Sequence, residues 1–232
     1  MFGTNYADSG VINYRTAGEV NQAMGRVYGY MGLATLVSML VSFFVGSNPE
    51  LVKFFFTGIM HWIVVFAPLV AVFGVTIALN SNPPKEIAVA LLAGFAALMG
   101  LSFSVIFAVY TMHSIVSAFM GAGVLFGTMS FYGYFTKQSL DSLGKFMFVG
   151  LIAIVIASII NIFIGSTLMQ MVISALAIII FMGLTAYDTQ QIRETVSTDS
   201  SPAAEVIGAL QLYLDFINIF LSLLQLFGDK KD

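Results

Sequence analysis

The sequence predicts an all-α integral membrane protein with seven transmembrane helices, the last of them inside the bundle. Three observations carry this prediction. Of 232 residues, 59% are apolar and only 9% are charged, with a mean hydropathy of +0.94, whereas soluble domains carry about 25% charged residues. Seven apolar stretches each reach the roughly 20 residues that a bilayer core requires. The last stretch also carries a polar line: Gln211, Asp215, Asn218, Ser222 and Gln225 recur at steps of four, three, four and three and share one stripe of a helix. Lipid offers such a stripe no hydrogen-bond partner, so it must face protein or water.

In order, the spans are expected at Met24 to Val45, Met60 to Leu79, Ile87 to Val109, Ile115 to Phe135, Phe146 to Ile164, Leu168 to Tyr187 and Ala203 to Phe227. Turn chemistry separates them: Gly46-Ser47-Asn48-Pro49 after the first, Asn80 to Pro84 after the second, and Thr136 to Lys145 after the fourth. The fifth and sixth are divided only by Gly165-Ser166-Thr167, which reads as a tight hairpin; without it the count would be six. Residues 1–22, polar and glycine-containing, read as a flexible cytoplasmic arm. They lack the basic start and short apolar core of a signal peptide, so no cleavage is expected. Residues 23–228 form the transmembrane domain and 229–232 a short tail.

Basic residues concentrate on the cytoplasmic side of membrane proteins. Placing the N-terminus inside puts Arg15, Arg26, Lys85, Lys137, Lys145 and Arg193 there, with Lys53, Lys230 and Lys231 opposite. This favours a cytoplasmic N-terminus and an external C-terminus. A net charge of −3 supplies no basic face for nucleic acid. The absence of cysteine excludes disulfides, thiolate metal sites and a cysteine nucleophile. Small residues mark expected helix contacts: Gly100, Ser104 and Ala108 in the third span, Gly123 and Gly127 in the fourth.

Chemistry has few places to reside. The third, fourth and fifth spans contain no charge from Ile87 to Val109, Ile115 to Phe135 or Phe146 to Ile164. Two carboxylates remain: Asp188, at the end of the sixth span and expected near the cytoplasmic face, and Asp215, about 18 Å into the last helix at 1.5 Å per residue. Two acids close together in a low-dielectric setting tend to share a proton. When both ionise they repel or recruit a hard cation such as Ca2+. The plainer reading is a single aspartate bonded to a neighbouring helix. Arg26, Glu19 and Glu205 read as interfacial, with Glu205 suited to the helix start after Pro202. His61 and His113 read as interfacial side chains at segment ends.

Three stretches, GTMSFYGYFTKQSLDSLGKF at 127–146, FMGLTAYDTQQI at 181–192 and LYLDFINIFLSLLQLFG at 212–228, resemble the bacterial branch of the Bax inhibitor-1 family, also called the transmembrane Bax inhibitor motif family. The resemblance spans all seven segments. It implies a bundle whose last helix is wrapped by the other six, and a di-aspartyl pH sensor matching Asp188 and Asp215. It further implies a pH-sensitive calcium or cation leak channel of the bacterial inner membrane, with Ca2+ and protons as ligands and no enzymatic cofactor. A membrane-anchored AAA+ protease engaged through the cytoplasmic tail is an implied partner, so a regulatory protein without transport is the alternative function. Some relatives hold the acid pair with an arginine of the second span. Here Trp62 to Leu79 contains no base, and Arg26 is a weak substitute.

A remote third reading is an intramembrane aspartyl protease, since Tyr187-Asp188 and Asp215 lie on consecutive helices. Such proteases set their second aspartate in Gly-x-Gly-Asp, whereas here it follows Leu212-Tyr213-Leu214, and no Pro-Ala-Leu stretch follows. No enzymatic activity is expected on that ground.

Overall fold

Backbone groups in hydrocarbon must be satisfied within their own segment, and helices do this. The computed structural model describes residues 15–231 as α1 (Ala17–Gly46), α2 (Pro49–Phe55), α3 (Gly58–Asn80), α4 (Lys85–Val109), α5 (Met112–Phe135), α6 (Asp141–Ile164), α7 (Thr167–Thr198) and α8 (Pro202–Phe227). All but α2 are long and apolar enough to cross a membrane, which makes seven spans. Alternate ends therefore gather at two faces. The N-terminal face holds the start of α1 and the α7–α8 turn, and the C-terminal face holds the end of α8.

The hairpin at 165–167 separates α6 from α7. Gly165 takes a left-handed conformation at φ 68°, and the Ser166 hydroxyl accepts from the Met169 amide at 3.2 Å, capping α7. Of the arm expected over residues 1–22, residues 1–14 lie outside the described residues and the remainder is ordered structure. Thr16 and Glu19 form a capping box that starts α1 at Ala17. Arg15 donates from its amide to Ser197 O at 2.9 Å and from Nη1 to Val196 O at 3.1 Å. The turn expected after the first span contains the short helix α2, capped by Asn48.

α8 is the enclosed element: 67% of its most apolar window is buried, against at most 33% in the other spans. It packs on α7, α5, α1, α4 and α3. Tyr213, wholly buried, shows how it is held. The Ser38 hydroxyl donates one hydrogen, to Ala96 O at 2.8 Å or Ala34 O at 3.0 Å, so the Tyr213 phenol donates to Ser38 Oγ at 2.6 Å. One tyrosine thus ties α8 to α1 and, through Ser38, to α4. Phe119 and Phe126 of α5 meet Phe216 edge-on at 5.3 and 5.8 Å.

Close approach between helices falls on particular glycines. A Cβ on Gly100 would lie 2.6 Å from Ser38 O, which sets the α1–α4 spacing, and one on Gly133 would run into the Ala186 carbonyl between α5 and α7. The expected contacts at Gly123 and Gly127 are not found: a Cβ there meets nothing within 4 Å. Glycine in a membrane helix marks contact only when its face turns inward. Gly133→Ala is therefore expected to destabilise the bundle by about 1–3 kcal/mol, lowering the thermal unfolding midpoint in detergent, while Gly123→Ala leaves it within error. Equal midpoints for the two variants would remove the α5–α7 contact from this account.

Candidate functional site

Asp215 and Tyr213 stand two residues apart on α8 and so point in nearly opposite directions. Tyr213 looks toward α1 and α4; Asp215 looks toward α7, where the Thr185 hydroxyl and Asp188 lie beside it. Asp215 is 4% exposed, and its Oδ2 has no hydrogen-bond partner among the described residues. A buried oxygen left so is costly unless it carries a proton or meets water or a cation.

α7 continues to Thr198, ten residues past Asp188 and beyond the expected end of the sixth span, so that at 1.5 Å per residue Asp188 stands about 15 Å from the end of α7 and Asp215 about 20 Å from the start of α8. The extension was hidden because 189–198 is polar. Those polar residues nonetheless serve as helix contacts: Thr189 meets Ser130 at 3.0 Å, and Gln190 bonds Gln138 O at 2.9 Å and the Leu140 amide at 2.8 Å.

A cavity of about 530 Å³ opens on the N-terminal face and is lined by Asn80 at the end of α3, Asn82 just beyond it, Asp188 and Gln191 of α7, and Gln211 of α8, among others. Asp188 and Gln211 are on its wall; Asp215, Asn218 and Ser222 are not. The α8 stripe thus begins at solvent and passes into packed protein. Asn218 Nδ2 turns back to Leu214 O at 2.7 Å, and Ser222 is buried. At the far end Gln225 Oε1 accepts from Gln170 Nε2 at 2.8 Å and Ser174 Oγ at 3.0 Å. The predicted stripe is one face of α8, open at its first residue and engaged with α7 at its last.

Sequence reasoning missed a second polar centre. Glu205, expected at the interface, is 4% exposed. Its carboxylate accepts from Arg26 Nε at 2.7 Å and Nη2 at 2.6 Å, and from Arg15 Nη2 at 3.3 Å. Arg26 is thus committed to Glu205 and does not latch the aspartates. In the sequence Arg26 stands only two residues past the expected start of the first span, and its acid is 179 residues away, so no local signal marked the pair. His61 packs edge-on with Trp62 at 5.4 Å, and His113 lines a small cavity at the C-terminal face.

Seven helices long and apolar enough to cross a membrane, with a buried aspartate on the innermost of them, define a polytopic α-helical membrane protein. The model of the family described as "Inhibitor of apoptosis-promoting Bax1" matches residues 20–232, and the chain belongs to this family, the Bax inhibitor-1 family. It is 36% identical over 214 residues to "Inner membrane protein YbhL" of Escherichia coli K12, covering 90% of this chain and 92% of that one. It is also 33% identical over 222 residues to an uncharacterized protein of Deinococcus radiodurans, with 94% of each chain covered. A protein of Borreliella burgdorferi is 35% identical over 222 residues, covering 91% of this chain and 94% of its own.

The Glu205 cluster joins α1 to the α7–α8 turn, so Glu205→Gln, which leaves two arginines facing a neutral amide, is expected to destabilise the protein by roughly 2 kcal/mol. Arg26 is 41% exposed in its side chain, so Arg26→Gln costs less, about 1 kcal/mol. Thermal unfolding in detergent measures both; the reverse order would contradict the assignment of Glu205 as the buried member.

Proposed function

We propose that the protein is a pH-sensitive cation leak, with Ca2+ as the favoured ion, gated by Asp188 and Asp215. The observation that carries this reading is Asp215 Oδ2, buried without a hydrogen-bond partner among the described residues, one helix away from Asp188, which lines the N-terminal-face cavity. With a shared proton the pair is one negative charge and the path beyond it stays closed. Loss of that proton leaves two carboxylates that repel each other and favour a hard cation. Ca2+ takes six to eight oxygen ligands, and no cluster of three or more metal-binding side chains occurs among the described residues. A transient ion, completed by water or backbone oxygens, suits such a pair better than a resident one.

The charge distribution supports a cytoplasmic N-terminal face: Arg15, Arg26, Lys85, Lys137, Lys145 and Arg193 are gathered there. Seven spans then put the C-terminus on the opposite, periplasmic side. The name of the Escherichia coli relative, an inner membrane protein, supports the bacterial inner membrane as the setting.

A second reading, regulation of a membrane-anchored AAA+ protease through the N-terminal tail, draws support from Arg15. That residue bonds Ser200 O at 3.2 Å, next to Asp199 and Ser201 on the cavity rim. A partner holding residues 1–14 would pull on that rim. Deleting residues 1–14 separates the readings: a leak persists, whereas a protease response mediated by the tail is lost.

In liposomes loaded with a calcium indicator, flux through the wild type is expected to rise as pH rises through the titration of the pair. Asparagine mimics the protonated acid, so Asp215→Asn should hold the low-pH flux across the range. A flux and pH profile equal to wild type in that variant would refute gating by the pair.

A further inference from the structure

Two cavities in the half of the molecule away from the acid pair share Phe107 and Met112 as lining residues. One is an apolar groove of about 320 Å³ between α1, α4 and α5, walled by Met39, Phe43, Phe107 and Val116, with Phe220 of α8 contributing to its wall. It exists because α1 and α5 make no close backbone approach. Nearer the N-terminal face their side chains bridge the seam, through Tyr28 to Ser130 at 2.5 Å and Tyr134 to Asn21. Toward the C-terminal face nothing comparable closes it. Ser38, on the groove wall, has its hydroxyl engaged by Tyr213.

The second cavity, about 610 Å³, lies where α1 ends and α2 begins and includes Lys53 and Lys231 in its lining. Lys231 Nζ donates to Phe107 O at 2.6 Å, which fixes its ammonium at the junction with the groove. The chain end is held there by pairing: the Thr111 amide donates to Asp229 O at 3.0 Å and the Lys231 amide to Val109 O at 2.8 Å. No carboxylate lines this cavity, and neither lysine forms an ion pair among the described residues.

An apolar slot within the membrane accepts any hydrocarbon chain. Two ammonium groups at its polar mouth, with no carboxylate among the described residues lining it, select what the chain is attached to. We propose that the groove and the lysine cavity together bind one anionic phospholipid from the leaflet at the C-terminal face, an acyl chain lying in the groove and the phosphodiester on Lys53 and Lys231. The occupant touches α8 at Phe220, on the helix that carries Asp215. This site stands on its own geometry and does not depend on whether the acid pair conducts.

Full-length protein in mixed micelles, examined by native mass spectrometry with phosphatidylglycerol or phosphatidylcholine, tests the site. The wild type is expected to retain one phosphatidylglycerol in preference to phosphatidylcholine. Lys53→Gln with Lys231→Gln should weaken that retention on the order of 20-fold, about fivefold for each lysine near an anionic headgroup. Val116→Trp, at a half-exposed groove position, should abolish retention of either lipid while leaving the thermal midpoint in lipid-free detergent unchanged. Glycerol phosphate, which lacks a chain, should not compete. Equal retention of the two lipids by the wild type, an unaltered preference in the double lysine variant, unaltered retention in Val116→Trp, or full competition by glycerol phosphate would each overturn the proposal.

Discussion

A carboxyl in hydrocarbon must be enclosed by protein, and in this chain the enclosure of Asp215 dictates which helix stands inside. α8 carries polar residues along one face and the Tyr213 phenol on the opposite side, so both sides of the helix require protein contact. The remaining spans are free to show lipid broad apolar surfaces, as Phe73, Ile77, Phe131, Phe163 and Leu168 do. Wrapping one helix with several is possible only where some backbones come close. Gly100 against Ser38 and Gly133 against Ala186 provide that proximity. Enclosure of the acid and placement of the inward glycines are two aspects of one packing solution.

The ordering of α8 follows from directionality around its axis. Tyr213 secures one side to α1, while Asp215 on the opposite side meets α7. Each is buried, yet only the tyrosine has its polar atom satisfied by protein. The contrast gives the site its character: a hydrogen bond to Ser38 fixes the helix's rotation, and that rotation turns an unsatisfied carboxyl oxygen to the opposite side of α8. Removing the acid would therefore alter charge without removing what fixes the helix.

Hydropathy made the spans legible because lipid exposure imposes a compositional demand on each of them, and it made the α8 stripe legible because five polar residues at helical spacing cannot all face lipid. What it hid depended on polar residues used internally. Residues 189–198 fall outside the expected sixth span because they are polar, although Thr189 and Gln190 are buried and bond α5 and the α5–α6 connection. Glu205 read as an interfacial acid because its partners, Arg15 and Arg26, are about 180 residues away in sequence. Gly123 and Gly127 look like Gly100 in sequence, and only the orientation of a helix tells an inward glycine from one facing open space.

The same contacts constrain how the site could open. At the N-terminal face α8 is tied by Glu205 to Arg26 and Arg15; at the other end Gln225 bonds α7, and the residues after α8 pair with the α4–α5 connection. Sliding α8 along its axis would break both sets together, at a cost of several charged or polar bonds. α3 is held differently. Its hydrogen bond to another helix among the described residues is Ser102 Oγ to Val64 O at 2.6 Å, with α4, whereas its contact with α8 has no hydrogen bond or ion pair. The end of α3 supplies Leu79 and Asn80 to the cavity beside Asp188. α3 makes no close approach to α7, so this wall of the Asp188 cavity is held to α8 by apolar contact alone. It can shift without breaking any hydrogen bond to α8, whereas α8 itself cannot move without breaking polar bonds at both ends.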